Sequence, residues 1–402
     1  MHIALYCGGW PVNEYHNGIV TYVHNLRTEL MNQGHRISVF VNEIGRTNQD
    51  SGIYVVKPTV QYRILRKVTR LVRKRSRDVF DWGQAIAATV NEVHKIDPID
   101  VLEMEESFGW CADVQTRVPI PVVVKLHGPV FLSWVEEDRE TERAKAIVEL
   151  EGKALRQMPA IISPSRDTFL NTVSRYDLNP QIRGIIPNPM AVEVDLKLWD
   201  VDGCQRKTIL FVGRFDKRKG GDTVLIAFRR LLEMDENLKL IFVGPDFGVT
   251  SEGGSRIFFD EFRNSLFTEA QRRSISYLGR RPRAEIADLR GQAMLTIVAS
   301  RWENQASTVL EAMIQGCPIV ASDTGGTSEI IADEVTGLLA RHDDIDDLCQ
   351  KIMCLLNDPA RARQLGENAR RFVVERHSVQ KLATETVNAY RQAISLAKKR
   401  KK

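Results

Sequence analysis

Long apolar runs are absent from this sequence of 402 residues. A membrane-spanning helix needs about 20 consecutive apolar residues, so we exclude an integral membrane protein. The N-terminal stretch lacks the layout of a signal peptide, and we expect it to form a buried strand. Cysteine is scarce: the six cysteines form no Cys-x-x-Cys pair and no cluster with histidine. This pattern excludes a disulfide-rich or zinc-binding fold and predicts reduced core cysteines in a cytoplasmic protein.

Two motifs that commonly bind cofactors give no signal either. The glycines after the first predicted strand, Gly8 and Gly9, do not form a Gly-x-Gly-x-x-Gly fingerprint, so a nicotinamide or flavin site is not indicated. The Asp-x-Asp pair at Asp200 and Asp202 follows no predicted strand, and we reject it as a metal site. We therefore expect no cofactor and no metal requirement.

Positive charge is concentrated in two short segments. The formal net charge is +4, from 56 basic and 52 acidic residues. Residues 57–77 contain nine basic residues and no acidic one, and residues 398–402 are all basic. The remaining 42 basic and 52 acidic residues give a net charge of −10. Because most of the chain is acidic, a globally basic nucleic-acid-binding protein is excluded.

Residues 61–82 have the spacing of an amphipathic helix with one apolar and one basic stripe. The basic stripe includes Arg66, Lys67, Arg70, Arg73 and Lys74. Such a helix can lie on an anionic membrane surface. Two other interpretations stay open: a helix that packs by its apolar stripe and leaves its basic face solvated, or one that binds an anionic acceptor or RNA.

Apolar, β-branched runs alternate with amphipathic helical stretches along the whole chain, which predicts an α/β fold with parallel sheets covered on both faces. The pattern breaks at Pro187-Asn188-Pro189, a typical linker signal. We therefore expect two doubly wound domains, with ligand in the cleft between them. The predicted parts are an N-terminal domain at 1–189, a linker at 190–206, a C-terminal domain at 207–376, a helix at 377–397 that crosses back, and a basic tail at 398–402.

The turn after the predicted strand Thr208–Val212 combines an arginine, a lysine and two glycines at the start of a helix. Arg214 follows the strand, and Lys219 precedes Gly220 and Gly221. These groups suit a diphosphate, although a solvated basic turn fits the spacing equally well. Gly9 and Gly18 open the corresponding turn and helix of the first domain.

A second loop carries two glutamates. Glu303 follows the predicted strand Leu295–Ala299, and Glu311 lies in the predicted helix that comes next. The spacing Thr308-x-x-Glu311 also matches a capping box, and Glu303 could be a solvated loop acid. The turn at Gly325-Gly326 follows the neighbouring strand and comes to the same edge of the sheet.

Three motifs occur in a recognisable order: Gly-Arg-x4-Lys-Gly, Glu-x7-Glu followed by Ala-Met-x2-Gly, and Ser-Asp-x-Gly-Gly-x2-Glu. Together they resemble the retaining glycosyltransferases of family 4, which have the GT-B fold of two Rossmann-like domains. The resemblance covers nearly the whole chain, including His127-Gly128, Pro187-Asn188 and Tyr277-Leu278-Gly279.

The resemblance implies a role for each matched position of the second domain. Arg214 and Lys219 would bind the diphosphate of a nucleotide-sugar donor, and Glu311 would hold the ribose hydroxyls. Glu303 would face the donor hexose, and the turn at Arg281 would meet the base. The loop backbone that would contact sugar and phosphate comprises Asn304, Gln305, Ala306 and Ser307. Many relatives have Glu-Ser/Gly-Phe-Gly at 303–306, so the preference for the donor sugar can differ here.

In the first domain, the resemblance implies that Gly9 and Gly18 leave room for the donor and that His127 lies near its sugar. We count His127 with Arg214, Lys219 and Glu303 as catalytic candidates, although a histidine that only caps its strand is an alternative. Glu103, Glu105 and Glu106 lie at the end of the predicted strand Asp100–Met104 and could bind acceptor hydroxyls, or form a solvated turn.

The family implies metal-independent transfer of a hexosyl unit from a nucleotide-diphospho-sugar to a saccharide, with retention of configuration. The basic segments suggest a lipid-linked acceptor at the cytoplasmic face of the membrane, as in cell-surface polysaccharide or glycolipid synthesis. The alternatives are transfer to a small soluble acceptor and a catalytically silent sugar-nucleotide-binding subunit.

Overall fold

The computed structural model describes residues 1–15, 17–58, 82–134, 141–191, 196–251 and 253–400. Its internal contacts divide the chain into two units. Unit 1 comprises Met1–Pro189 together with Val379–Lys402, and unit 2 comprises Met190–Ser378. Of the predicted basic helix at 61–82, residues 61–81 lie outside the described residues. These include Arg66, Lys67, Arg70, Arg73 and Lys74.

Unit 1 is built on a seven-stranded parallel sheet with the order β3-β2-β1-β4-β5-β6-β7. Its strands are β1 (His2–Trp10), β2 (Arg36–Ile44), β3 (Ile53–Val55), β4 (Val101–Glu105), β5 (Val122–Lys125), β6 (Ala160–Ser163) and β7 (Ile182–Ile185). Its described helices are α1 (Gly18–Asn32), α2 (Trp82–Ile96), α3 (Trp110–Arg117), α4 (Val130–Ser133), α5 (Glu142–Leu155), α6 (Arg166–Tyr176) and the C-terminal α15 (Val379–Arg400). A short 3₁₀ turn spans Ser107–Gly109.

Unit 2 is built on a six-stranded parallel sheet with the order β12-β9-β8-β13-β14-β15. Its strands are β8 (Gln205–Val212), β9 (Lys239–Val243), β12 (Ile275–Gly279), β13 (Ala293–Val298), β14 (Ile319–Ser322) and β15 (Leu338–Ala340), with a small hairpin of β10 (Val249–Thr250) and β11 (Arg256–Ile257). Its helices are α7 (Gly221–Met234), α8 (Phe259–Leu266), α9 (Glu269–Arg272), α10 (Arg283–Gln292), α11 (Ser307–Gln315), α12 (Thr327–Ile330), α13 (Ile345–Asn357) and α14 (Pro359–Arg376).

Both sheets are covered on their two faces, as the continuous apolar strands predict. Every residue of β5 and β13 is buried. Alternate residues of β1 enter different cores: Ala4 and Tyr6 pack on one face of the sheet, and Ile3 and Leu5 pack on the other. The two-residue period of a strand explains this division.

Several boundaries differ from those that the sequence predicts. β1 does not end before the glycine pair but continues through Gly8 and Gly9 to Trp10, because it stays paired with β2 as far as Ile44. β8 begins at Gln205, inside the predicted linker. All six cysteines are free, in line with the prediction. Among the helices of the described ranges, none is long and apolar enough to cross a bilayer.

Candidate active site

The loop between β8 and α7 in unit 2 gathers two of the predicted cationic residues around one carboxylate. The Arg214 guanidinium contacts Asp216 at 2.6 Å and stacks over the ring of Phe247 at 5.0 Å from its centroid. Asp216 also accepts a hydrogen bond of 2.7 Å from the backbone N–H of Lys219. Asp216 thus fixes the Arg214 side chain and the Lys219 main chain together. Sequence reasoning missed this role, since the carboxylate lies in an otherwise basic turn.

Glycine is required where this loop enters α7. Gly220 has a φ of +69° and lies so close to the residue after β13 that an added Cβ would be 1.8 Å from the carbonyl oxygen of Ala299. A side chain has no space there, and the left-handed conformation is itself costly for other residues. The close approach brings Lys219 next to the loop that follows β13.

Lys219 and Glu303 form an ion pair, and Ser300 donates a 2.8 Å hydrogen bond to the same Glu303 oxygen. Glu303 is only 6% exposed. Burial alone would raise the pKa of Glu303, but the charges of Lys219 and Arg218 and the hydrogen bonds more than offset it, so the pKa lies below its usual value. Burial lowers the pKa of Lys219, against the attraction of Glu303. Glu303 is therefore a buried carboxylate held in its anionic form, not a solvated loop acid.

The glycine turn after β14 supports the Glu303 main chain. The backbone N–H of Gly326 donates a 2.7 Å hydrogen bond to the Glu303 carbonyl. Gly325 has a φ of +51°, and an added Cβ would lie 2.4 Å from the same oxygen. The two neighbouring strand ends that the sequence predicts to meet are thus in contact.

Arg301 joins these loops, although the sequence gives no signal for such a role. Its guanidinium makes two bonds of 2.8 and 3.0 Å to Asp222 and a 3.2 Å contact to Asp343. Its backbone N–H donates to the Arg218 carbonyl at 2.9 Å, and its carbonyl accepts from the Thr324 hydroxyl at 2.8 Å. A bidentate pair of this kind fixes orientation as well as distance. Arg301 therefore holds the Lys219 loop against the Glu303 loop.

The N-terminus of α11 lies directly after Glu303. The helix begins at Ser307, and Ala306 is its N-cap without a side-chain capping bond. The Asn304 side chain is buried, and the Gln305 amide is 3.2 Å from Nδ1 of His377. The free N–H groups of a helix start attract anions. The structure therefore brings Arg214, Lys219, Glu303 and this helix start into one cluster.

Glu311 and Arg281 have separate partners in unit 2. Glu311 lies in the second turn of α11 and accepts a 3.1 Å hydrogen bond from Arg290, whose side chain is buried. The capping box at Thr308 is therefore not formed. Arg281 follows β12 and pairs with the exposed Glu285 at 2.9 Å.

In unit 1, the structure separates the two predicted glycine positions. The space in front of Gly9 is filled, since an added Cβ would lie 2.4 Å from the Tyr15 ring. A side chain at position 9 would therefore meet the Tyr15 ring. Gly18 is the first residue of α1 and has nothing within 4 Å of an added Cβ, and Asn17 caps the helix by accepting from Val20 at 2.8 Å. Of the two glycines, only Gly18 has open space where a Cβ would be.

His127 lies just beyond β5, where its ring contacts that of Tyr22 at a centroid distance of 5.1 Å. Burial, with a smaller contribution from Lys125, lowers the pKa of His127 to about 3. Its imidazole is therefore neutral at pH 7. Its backbone N–H and that of Gly128 donate to the two oxygens of Glu106 at 2.8 and 2.7 Å.

The three glutamates predicted to bind an acceptor are all buried, so the solvated-turn interpretation is wrong. Glu103 and Glu105 lie within β4 rather than after it. The two oxygens of Glu103 accept hydrogen bonds from the hydroxyls of Tyr22 and Tyr390, both at 2.8 Å, and Glu105 accepts one from Ser107 at 2.7 Å. These contacts do not support acceptor binding by Glu103 or Glu106, because main-chain or core groups already occupy both carboxylate oxygens.

Comparisons with known proteins agree with this fold. Residues 204–372 match the family model "Glycosyl transferases group 1", and residues 16–194 match "Glycosyltransferase Family 4". An MMP α-(1→4)-mannosyltransferase of Mycolicibacterium hassiacum is 26% identical over 313 residues, which are 74% of this chain and 71% of the relative.

Two solved structures extend the likeness to the whole chain. Sucrose-phosphate synthase from Thermosynechococcus elongatus superposes with a TM-score of 0.77 at 21% identity, covering 98% of this chain and 99% of that one. HepE of Anabaena in complex with UDP-glucose gives a TM-score of 0.68 at 17% identity, covering 97% and 100%. These likenesses show the fold, which is the GT-B fold. The chain belongs to family 4 of the glycosyltransferases.

Proposed function

We propose that this protein is a retaining, metal-independent glycosyltransferase that moves a hexosyl unit from a nucleotide-diphospho-sugar to a saccharide acceptor. The observation that carries the proposal is the buried Lys219–Glu303 pair, with Arg214 nearby and the N-terminus of α11 beside it. A sugar diphosphate presents two different chemistries, hydroxyls and anionic oxygens. The pair supplies a matching carboxylate and cation at one place.

Arg214 and Lys219 would bind the diphosphate, with the helix N-termini adding N–H donors. HepE, which shares the fold, is described in complex with UDP-glucose, and this supports a nucleotide-sugar as the donor class. The anionic Glu303 would accept hydrogen bonds from hydroxyls of the donor hexose. Glu311 would hold the ribose, with Arg290 fixing its carboxylate.

In the proposed reaction, the bond between the anomeric carbon and the diphosphate oxygen breaks as the acceptor oxygen bonds to the same face of the sugar. The acceptor proton passes to the departing phosphate. Arg214 and Lys219 stabilise the negative charge that develops on this leaving group, which is the electrostatic role that usually dominates such catalysis. Because these cations supply the positive charge, no metal is required. His127, neutral at pH 7, would act as a hydrogen-bonding group near the sugar.

The proposed acceptor is a lipid-linked saccharide at the cytoplasmic face of the membrane, in cell-surface polysaccharide or glycolipid synthesis. The argument is the charge of residues 57–77 and 398–402 against an otherwise acidic chain. Segments of this kind are attracted to anionic lipid headgroups. Glu105 is the one predicted acceptor residue whose carboxylate has a single hydroxyl partner, Ser107.

Thermal melting against UDP-, GDP- and ADP-sugars, with magnesium or with EDTA, tests the donor site. A ligand that binds only the folded state raises the melting temperature. We expect one nucleotide class to raise it equally with and without metal. Lys219→Gln should lose most of the shift, whereas Lys207→Gln, which removes an exposed lysine of the same unit, should keep it. No shift with any donor would contradict the donor assignment, and a shift abolished by EDTA would contradict metal independence. NMR of the product then tests retention of the anomeric configuration.

A further inference from the structure

The loop that carries His127 is held by carboxylates rather than by neighbouring strands. Glu106 accepts from the backbone N–H groups of His127 and Gly128, and Glu151 of α5 accepts from that of Val130 at 3.0 Å. Residue 129 is a proline and has no N–H. Every backbone donor of residues 127–130 is therefore bound by one of two side-chain carboxylates.

Both carboxylates are buried, since each glutamate is 1% exposed. Burying a carboxylate is costly, and a neutral acceptor would satisfy an N–H at lower cost. A glutamate, however, carries two oxygens on one side chain, and those of Glu106 accept hydrogen bonds from two successive main-chain N–H groups of the loop. The free-energy cost of burying this side chain is therefore offset where the loop must keep one main-chain geometry.

Glu151 also links this loop to the preceding strand end. In addition to Val130, it interacts with the backbone N–H of Phe108. Phe108 has a φ of +59°, which a non-glycine residue adopts only when its surroundings impose it. The following Gly109 approaches α5 so closely that an added Cβ would lie 2.6 Å from the Leu150 carbonyl. The turn after β4 and the loop after β5 are thus fixed on the same helix.

We propose that Glu106 is a positioning residue for His127, which it holds through two main-chain hydrogen bonds, and that Glu151 fixes the next part of the same loop. The inference rests on the proposed function, in which His127 faces the donor sugar. It replaces the expectation that Glu106 binds the acceptor. Held in this way, the neutral imidazole stays against the Tyr22 ring, where it is ready to contact a bound sugar without first having to be ordered.

The test compares Glu106→Gln with Glu105→Gln. Glu105 is the adjacent buried acid, and its carboxylate bonds to Ser107 and not to the His127 loop. Glutamine has the same shape as glutamate, but its amide nitrogen is a hydrogen-bond donor. At position 106 it would face a main-chain N–H group where glutamate has an acceptor oxygen. We expect Glu106→Gln to shift the NMR signal of the His127 ring, assigned by its loss in His127→Ala, and Glu105→Gln to leave it in place. An unshifted ring signal in Glu106→Gln would overturn the proposal, and this readout requires no donor and no activity.

Kinetics give the second readout. Misplacement of a catalytic group by about 1 Å can lower the rate on the order of 100-fold. For Glu106→Gln we therefore expect kcat to fall roughly 10- to 100-fold, with a much smaller change in the donor KM. The double variant Glu106→Gln/His127→Ala should be no slower than His127→Ala alone, because Glu106 acts through His127. Equal losses in both backgrounds would overturn the proposal.

If Glu106→Gln does not fold, Glu151→Gln makes the same test one step further along the loop. Absence of transfer by the unaltered protein would contradict the proposed function only, since the ring signal still decides the role of Glu106.

Discussion

Among single residues, Glu106 shows most clearly what burial does to a titrating group. Burial raises the pKa of Glu106, the backbone hydrogen bonds lower it and the nearby Glu105 adds a smaller rise, so that the pKa lies at about 7. In the unfolded chain a glutamate titrates near pH 4.3. The folded protein therefore keeps this proton to a higher pH than the unfolded chain does. Its contribution to stability is complete below about pH 4 and is lost as the pH rises through 7.

This difference predicts how a variant changes the pH dependence of stability. Between pH 5 and pH 8, the free energy of unfolding of the unaltered protein should fall by about 2 kcal/mol more than that of Glu106→Gln, which cannot titrate at this position. Urea unfolding at several pH values, followed by a probe in unit 1, measures the two slopes. The exposed Glu236→Gln should follow the unaltered protein. Parallel curves for Glu106→Gln would show that Glu106 does not hold its proton near neutral pH.

The sequence predicts individual residues well where a motif is local and poorly where partners are distant. Lys219 and Glu303 could be named because each belongs to a short pattern at a strand end. The actual role of Glu106 could not, because its partners lie 21 and 22 residues away and are main-chain atoms. The role of Arg301 could not be predicted either, because its partner Asp222 lies 79 residues away in the sequence. Neither a composition nor a spacing reports such contacts.

At the scale of elements, the glycines at two helix starts should respond in opposite ways to the same substitution. Gly220→Ala places a methyl group against the Ala299 carbonyl, which belongs to the main chain and cannot rotate away. Strain at positive φ and overpacking each cost about 1–3 kcal/mol, so we expect a loss of about 3 kcal/mol or more. Gly18→Ala meets open space at the start of α1 and should leave stability unchanged or slightly higher.

The same pair of variants tests the role given to Gly18. If a donor approaches this helix start, the added methyl group should reduce the melting shift that the donor produces, although the fold is intact. Melting curves of both variants with and without donor give the two quantities. An undiminished shift in Gly18→Ala would remove Gly18 from the donor site.

The elements also show where propensity gives way to tertiary pairing. Glycine is unfavourable within strands, so Gly8 and Gly9 predict the end of β1. The strand nevertheless continues, because Gly9 pairs with Glu43 and Trp10 pairs with Ile44. The start of α11 was misjudged for a related reason. A Thr-x-x-Glu spacing indicates a capping box with Thr308 as the N-cap, but Ala306 is the N-cap of α11, and Glu311 accepts a hydrogen bond from the buried Arg290 instead.

For the whole molecule, the alternation of apolar strands and helices is enough to predict two parallel sheets, because only sheets covered on both faces need strands that are apolar throughout. The strand orders required the structure. In unit 1 the chain moves outward from β1 to β3 and then returns to place β4 on the other side of β1. Periodicity says where a strand is, but it carries no information on which neighbour it pairs with.

The segregation of charge gives the last prediction. Apart from residues 57–77 and 398–402 the chain has a net charge of −10, so an anionic membrane should repel most of it. Basic residues near such a surface contribute about 1 kcal/mol each. Replacing Arg66, Lys67, Arg70, Arg73 and Lys74 with glutamine should therefore weaken binding to phosphatidylserine-rich vesicles by up to about 5 kcal/mol, or roughly four thousandfold.

Sedimentation with vesicles at low and high salt measures this binding. The matched control removes five exposed basic residues of unit 2, so that both variants have the same net charge of −1: Arg206, Lys207, Arg229, Arg230 and Lys239. If the segment at 57–77 is the membrane contact, only the first variant should stay in the supernatant, and high salt should release the unaltered protein as well. Equal binding by both variants would contradict the membrane role and favour a soluble acceptor, because net charge alone would then account for the attraction.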